Sequence, residues 1–136
     1  MPKELPLNVD GVNPFGDLIG LKFIEVKDGF SLCTLTIDRK LLNPHGVLHG
    51  GVIYSLADTN MGAALYTAME DDELCASIEV KINYFSSVSS GRIICKSKLV
   101  HKQGKIAFLE SEVYSEDGRL IAKATGTFYV FKAKKS

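Results

Sequence analysis

The sequence predicts a single α+β domain in which a curved antiparallel sheet of about six strands wraps around one long central helix. Two observations predict this arrangement. Apolar residues recur at helical spacing over residues 50–69, on a face so broad that the helix must be buried on most sides. Runs of β-branched and aromatic residues precede and follow that segment, and turn-forming residues separate them. A sheet curved around the helix covers all of these apolar faces.

Local patterns predict each element in chain order. Asn13 and Pro14 are typical of the N-cap and first residue of a short helical turn. Residues 76–84 alternate between apolar and polar side chains, which indicates a strand. The last four strands are expected to follow one another as an antiparallel meander. The predicted strands are 21–26, 30–37, 76–84, 92–101, 106–114 and 120–131, with a loop at 38–48 and the helix at 50–69.

Composition narrows the class of protein. A chain of 136 residues suits one domain, residues 1–136. Its 16 Lys plus Arg balance its 16 Asp plus Glu, so no net field favours nucleic acid or a membrane. Cys33, Cys75 and Cys95 have neither disulfide nor zinc spacing, which favours a reducing compartment. Residues 1–12 lack the apolar core of a signal peptide, so the expectation is a soluble cytoplasmic protein.

The segment from Asn43 to Asp58 carries the chemistry. Gly50 and Gly51 stand where the helix begins, and glycines there leave backbone N–H groups open to an approaching oxygen atom. Asp58 places a carboxylate inside an otherwise apolar helix, where burial costs free energy unless the group is used or satisfied. Together these residues indicate a hydrolytic site with an oxyanion donor and a base.

Three motifs extend this pattern over most of the chain. Asn-x-x-Gly-x-x-His-Gly-Gly occupies Asn43–Gly51, Asp58 follows nine residues after His49, and related patterns lie at Ser77–Tyr84 and Gly118–Phe128. These residues resemble the hotdog-fold thioesterases, in particular the phenylacetate-degradation (PaaI-type) acyl-CoA thioesterase subfamily. The resemblance implies water attack on an acyl- or aryl-CoA thioester, giving a carboxylic acid and free coenzyme A. It implies no metal and no bound cofactor, since coenzyme A is part of the substrate.

The resemblance also implies roles for the residues of the first motif. Asp58 is expected to act as general base, with a nucleophilic role or a purely structural role as the alternatives. The Gly50 N–H is expected to stabilise the oxyanion at the helix N-terminus, where the helix dipole adds favourable potential. Gly51 is expected to let the thioester approach closely. The alternative for both glycines is a tight turn into the helix.

Polar side chains around the helix start complete the expected catalytic set. The Asn43 amide is expected to polarise the acyl carbonyl or orient the water, and an Asx turn is the alternative. His49 is expected to hold the loop by hydrogen bonds. Gly62 stands one turn past Asp58, where some relatives carry a hydroxyl group that helps hold the water. Ser77 is expected to supply that hydroxyl instead.

The remaining expected substrate contacts fall into two groups, one for the acyl group and one for the nucleotide part of coenzyme A. The acyl group, aryl or medium-chain, is expected to lie among side chains of the helix and of the strand that follows it. A basic turn suits contact with phosphates, although a solvated hairpin turn is the alternative. The residues are Tyr54, Met61, Tyr84 and Phe85 for the acyl group, and Lys102, Gln103, Gly104 and Lys105 for the nucleotide.

Helix geometry predicts a site shared between subunits. Gly50 and Asp58 are eight residues apart, which is about 12 Å of helical rise. One thioester carbonyl cannot contact both, so the two groups must come from different chains if both act on one substrate. The resemblance implies a homodimer with antiparallel central helices, usually within a homotetramer.

Two other functions fit the same fold. One is a non-catalytic module that binds acyl-CoA for regulation. The other is a hotdog dehydratase, whose Asp/His pair is placed differently and for which His49 is badly positioned.

Overall fold

The computed structural model describes residues 7–134 as one six-stranded antiparallel sheet with a long helix packed against it. Residues 1–6, which belong to the N-terminal stretch considered above, lie outside the described residues, as do residues 135–136. The predicted fold class is confirmed. The elements are α1 (Pro14–Ile19), β1 (Leu21–Lys27), β2 (Phe30–Thr36), a 3-10 turn (Arg39–Leu41), α2 (Gly50–Tyr66), β3 (Glu73–Tyr84), β4 (Arg92–Gln103), β5 (Ile106–Ser115) and β6 (Leu120–Lys132).

Helix α2 is central because apolar side chains cover most of its circumference. Leu56, Ala57 and Leu65 have no exposed surface and pack against the sheet. The helix ends at Tyr66, three residues earlier than predicted, because the following residues form tighter i→i+3 hydrogen bonds. Thr67 fixes that end, since its hydroxyl accepts a hydrogen bond from the Gly29 N–H at 2.6 Å.

The strand order in the sheet is β1-β2-β4-β5-β6-β3. The predicted meander is therefore right for β4, β5 and β6, whose hairpins turn at Gly104 and Gly118 with φ of +58° and +86°. It is wrong for β3, which pairs with β6 at the far edge of the sheet. The reason lies in residues 85–91, which contain no tight two-residue turn and instead carry the chain across to the middle of the sheet.

A polar cluster sits inside the apolar core, centred on Asn60 of α2. The Asn60 Nδ2 donates to the Ser31 carbonyl at 3.0 Å, the Cys95 carbonyl at 3.1 Å and the Ser97 Oγ at 2.8 Å. Its Oδ1 accepts from the Ser31 Oγ at 2.6 Å. Among residues 7–134 no buried side-chain nitrogen or oxygen lacks a partner. The cluster thus fixes the helix against β2 and β4 without leaving a buried polar group unpaired.

Within residues 7–134, no helix combines the length and apolarity that spanning a membrane requires.

Candidate active site

Asp58 and Ser77 meet in one cleft. The Ser77 hydroxyl, on β3, donates a hydrogen bond of 2.9 Å to the Asp58 Oδ1, and Ser77 borders the point where the register between β3 and β6 shifts. The sequence predicted that Asp58 would be enclosed, but it is half-buried. It lies on the helix face that opens into the cleft. No residue within 7–134 donates to its second oxygen, Oδ2. That oxygen is therefore free to accept a proton from water.

The cleft has a volume of about 360 Å³. Helix α2 and strand β3 form one side of it, and the chain from Asn8 to Phe23 forms the other. Gly62 faces open space, because no atom lies within 4 Å of the position that a Cβ would occupy. One turn past Asp58 the cleft is therefore open, whereas the Ser77 hydroxyl contacts Asp58 from β3.

The start of α2 offers one unused N–H group. His49 is the N-cap, and its Nδ1 accepts a 2.8 Å hydrogen bond from the Gly51 N–H. The Tyr84 hydroxyl donates to the Gly50 carbonyl at 2.8 Å. The Gly50 N–H itself has no acceptor among the described residues. The peptide that joins Gly50 to Gly51 is thus held at both ends, while the N–H before it stays available to an oxyanion.

Close contacts explain both glycines. A Cβ on Gly50 would lie 3.2 Å from the ring of Tyr84, and one on Gly51 would lie 3.0 Å from the His49 imidazole. Glycine lets these two side chains pack over the helix start. Burial, and then the nearby Tyr54, raise the pKa of Tyr84 above its ordinary value, so its hydroxyl stays protonated and can donate.

The helix start opens onto a second cleft of about 360 Å³. Its lining shares no residue with the cleft that contains Asp58. Gly50 and Asp58 are separated by about 12 Å along the helix, as the sequence indicated. One chain therefore holds Gly50 and Asp58 in two separate clefts. The second cleft is lined by Leu48, Gly50, Ile53, Tyr84, Phe85, Ser86 and Ser87.

Asn43 forms the Asx turn that was the alternative to a catalytic role. Its Oδ1 accepts hydrogen bonds from the backbone N–H of His45 at 2.9 Å and of Val47 at 3.3 Å. No described residue accepts from its Nδ2. The side chain thus shapes the loop through its oxygen and keeps its two N–H groups for another partner.

The residues predicted to contact the acyl group and the nucleotide lie outside the cleft that contains Asp58. Phe85 is 58% exposed beside the second cleft, and Tyr54 is exposed on the second turn of α2. Met61 has no exposed surface and lines neither cleft, because it faces the sheet and packs beside Gly126. The turn Lys102–Lys105 joins β4 to β5 and lines neither cleft.

One wall of the Asp58 cleft had not been expected from the sequence. Val9 and Val12 line it, and Asn8 and Asp17 hold the segment that carries them. Their spacing matches neither a helix nor a strand, so periodicity could not identify them. Hydrogen bonds to β1 and α1 hold them at the cleft.

Comparisons with known proteins identify the class. The sequence profile of the Thioesterase superfamily matches residues 45–122, more than half of the chain. A protein of Archaeoglobus fulgidus that carries an esterase assignment is 32% identical over 114 residues, covering 83% of this chain and 72% of the relative. The 1,4-dihydroxy-2-naphthoyl-CoA hydrolase of Escherichia coli is 26% identical, covering 84% of both chains. The solved structure of a conserved Pseudomonas aeruginosa protein has a TM-score of 0.84 at 32% identity, covering 88% of this chain and 95% of the other.

The fold and these matches show that the chain belongs to the thioesterase superfamily and has its hotdog fold. It is thus an enzyme of the thioester-hydrolase class. Its placement in the phenylacetate-degradation subfamily stays a prediction.

Proposed function

We propose that the protein hydrolyses an acyl- or aryl-CoA thioester by water attack, with Asp58 as the general base. The observation that carries this proposal is the hydrogen bond from Ser77 to one oxygen of Asp58, which leaves the other oxygen open to the cleft. A carboxylate held in one orientation by a neighbour can take a proton from water as the water attacks the carbonyl carbon. The products are a carboxylic acid and coenzyme A.

The oxyanion formed in this attack needs a donor, and the Gly50 N–H is the proposed one. It lies at the N-terminus of a 17-residue helix, where the helix dipole favours negative charge. A donor fixed before the reaction needs no reorganisation when the charge develops. His49 and Tyr84 support it indirectly, since both hold the adjacent peptide.

The proposed site is shared between two subunits, with Gly50 from one chain and Asp58 from the other. The separate clefts and the distance of about 12 Å along the helix support this arrangement. Two antiparallel α2 helices across a two-fold axis would bring each Gly50 near the partner's Asp58. The active unit is then a homodimer, and the homotetramer implied by the resemblance would contain two such units.

The direct test is release of free thiol from a panel of acyl- and aryl-CoA esters. We expect turnover of at least one uncharged acyl-CoA by the wild-type protein. Stoichiometric binding of these esters with no thiol release would instead indicate the non-catalytic acyl-CoA-binding module.

Complementation tests the shared site. Asp58→Asn and Gly50→Pro should each be inactive alone, since the second change deletes the N–H at the first helical position, where the backbone accepts proline. Randomly mixed dimers should regain up to about a quarter of wild-type activity, because half of them are mixed and one of their two sites is intact. Verified mixed dimers without activity, or a fully active monomer, would contradict the shared site.

A further inference from the structure

The segment Leu7–Val12 is fastened to the edge of the sheet and forms one wall of the cleft that contains Asp58. The Asn8 Nδ2 donates to the Phe23 carbonyl at 2.8 Å, and the Asn8 Oδ1 accepts from the Phe23 N–H at 2.8 Å. Strand β1 pairs only with β2 among the described strands, so its outer edge has backbone groups to satisfy. The Asn8 amide satisfies two of them as a neighbouring strand would.

A second attachment fixes the other end of the segment. The Asp17 carboxylate, on α1, accepts a 2.9 Å hydrogen bond from the Gly11 N–H. Asn8 and Gly11 have φ of +56° and +84°, a region that asparagine and glycine adopt more readily than other residues. The two turns and two attachments hold the segment in place as a wall of the cleft.

The lining of the cleft that contains Asp58 is partly apolar and negatively charged. Its apolar members include Val9, Val12 and Phe23, and burying an uncharged acyl group against them is favourable. Its charged members are the carboxylates of Asp17 and Asp58, and no Lys, Arg or His is among the described residues that line it. A carboxylate at the far end of an acyl group would enter a lining that holds two carboxylates and, among the described residues of this chain, no cation.

Given the proposed thioesterase function, we propose that the segment Leu7–Val12 is the specificity wall of the acyl site. The cleft accepts uncharged, apolar acyl groups and rejects acyl groups that end in a carboxylate. Asp17 has two roles in this wall, since it anchors the segment and supplies part of the repulsion. Such discrimination by like charge is a common way to exclude a competing ligand.

Two ligands of matched length test the charge preference. Pentanoyl-CoA and glutaryl-CoA differ at the end of the acyl chain, and their thioether analogues, S-pentyl-CoA and S-(4-carboxybutyl)-CoA, cannot be hydrolysed. We expect the wild-type protein to bind S-pentyl-CoA at least about tenfold more tightly by calorimetry. The ratio of kcat/KM for the two esters should show the same preference.

Asp17→Asn removes the negative charge of the side chain and keeps its shape. The amide oxygen can still accept from the Gly11 N–H, so the wall stays attached while one negative charge is lost. The ratio of the affinity for S-pentyl-CoA to that for S-(4-carboxybutyl)-CoA should fall by roughly threefold or more. The matched control is Asp10→Asn, which removes the same charge from an exposed position on the segment that does not line the cleft. It should leave the preference unchanged.

Asn8→Gly tests the wall itself. Glycine adopts the same left-handed backbone, so the change removes the Asn8 side chain from the cleft lining together with its two hydrogen bonds to Phe23. The affinity for S-pentyl-CoA should fall several-fold while that for S-(4-carboxybutyl)-CoA changes little. Equal binding of both analogues by the wild type, binding of neither, or a preference unchanged in both variants would overturn the proposed wall. Selective binding without hydrolysis of any ester would instead refute the proposed thioesterase function and leave the wall standing.

Discussion

Asp58 and Asn60 lie two positions apart on the same apolar helix and have opposite surroundings. Asn60 is fully buried, and its amide has protein partners on both its oxygen and its nitrogen. Asp58 is half-buried, has a single hydrogen-bond partner among the described residues, and faces a cleft. Two residues rotate the helix by about 200°, which places them on nearly opposite faces. A polar residue whose hydrogen bonds are all made within the protein stabilises the fold, whereas one with an open oxygen at a cleft is available for chemistry.

The largest expected effect is on activity at Asp58. Asp58→Asn keeps the shape and the hydrogen bond from Ser77 but cannot accept a proton, so kcat should fall by about 10²–10⁴-fold. The free energy of unfolding, measured in urea, should change by less than about 0.5 kcal/mol. Asp71→Asn, in the exposed loop after α2, is the control and should leave both quantities unchanged. Turnover by Asp58→Asn within a few-fold of wild type would remove Asp58 from the mechanism.

Asn60 should behave in the opposite way. Asn60→Leu leaves the Ser31 and Ser97 side chains without their amide partner in the core, so the protein should lose about 2–4 kcal/mol of stability in urea. The kcat/KM per folded molecule should stay within a few-fold of wild type. Asn83→Ala, an exposed amide on β3, should cost less than about 0.5 kcal/mol. An Asn60→Leu protein that is stable but inactive would reverse the assignment of the two residues.

Ser77 is the only described hydrogen-bond partner of the Asp58 carboxylate. Ser77→Ala removes a hydrogen bond to a charged group, and kcat should fall by roughly 10- to 100-fold with a smaller change in KM. Ser77→Thr keeps the hydroxyl and should recover much of the loss. A change confined to KM would place Ser77 in ground-state binding of the substrate.

The Asn43 side chain has an oxygen that forms the Asx turn and a nitrogen with no acceptor among the described residues. Asn43→Ala should lower kcat more than it raises KM, by roughly tenfold, if the amide contacts the reacting carbonyl or water. Asn43→Asp keeps the oxygen that forms the Asx turn and removes the N–H donors. Steady-state kinetics should therefore show a loss in Asn43→Asp at least as large as in Asn43→Ala. Full activity in Asn43→Asp would restrict Asn43 to shaping the loop.

How far the sequence predicts this molecule depends on whether the decisive contacts are local. The helix, the hairpins and the placement of Asp58 follow from periodicity and a short motif within one segment of chain. The edge position of β3 does not, because it depends on pairing with a strand about 50 residues later along the chain. Local sequence patterns did not predict the hydrogen bonds of Asn60 and Asn8 either. The partners of Asn60 lie 29 to 37 residues away along the chain, and the partner of Asn8 lies 15 residues away. Sequence patterns therefore pointed to the candidate reacting groups more readily than to the groups that position them.

The smallest expected effect is at Tyr84, which lines the second cleft and contacts Gly50. Tyr84→Phe keeps the ring that packs over Gly50 and removes only the hydrogen bond to the Gly50 carbonyl. If that bond orients the neighbouring N–H toward the oxyanion, kcat should fall by roughly three- to tenfold with KM nearly constant, because the misalignment matters most in the transition state. Tyr129→Phe, which lies at neither cleft, is the control and should be neutral. A rise in KM alone would mean that the Tyr84 hydroxyl contacts the substrate directly, and the oxyanion donor would then depend on His49 for its orientation.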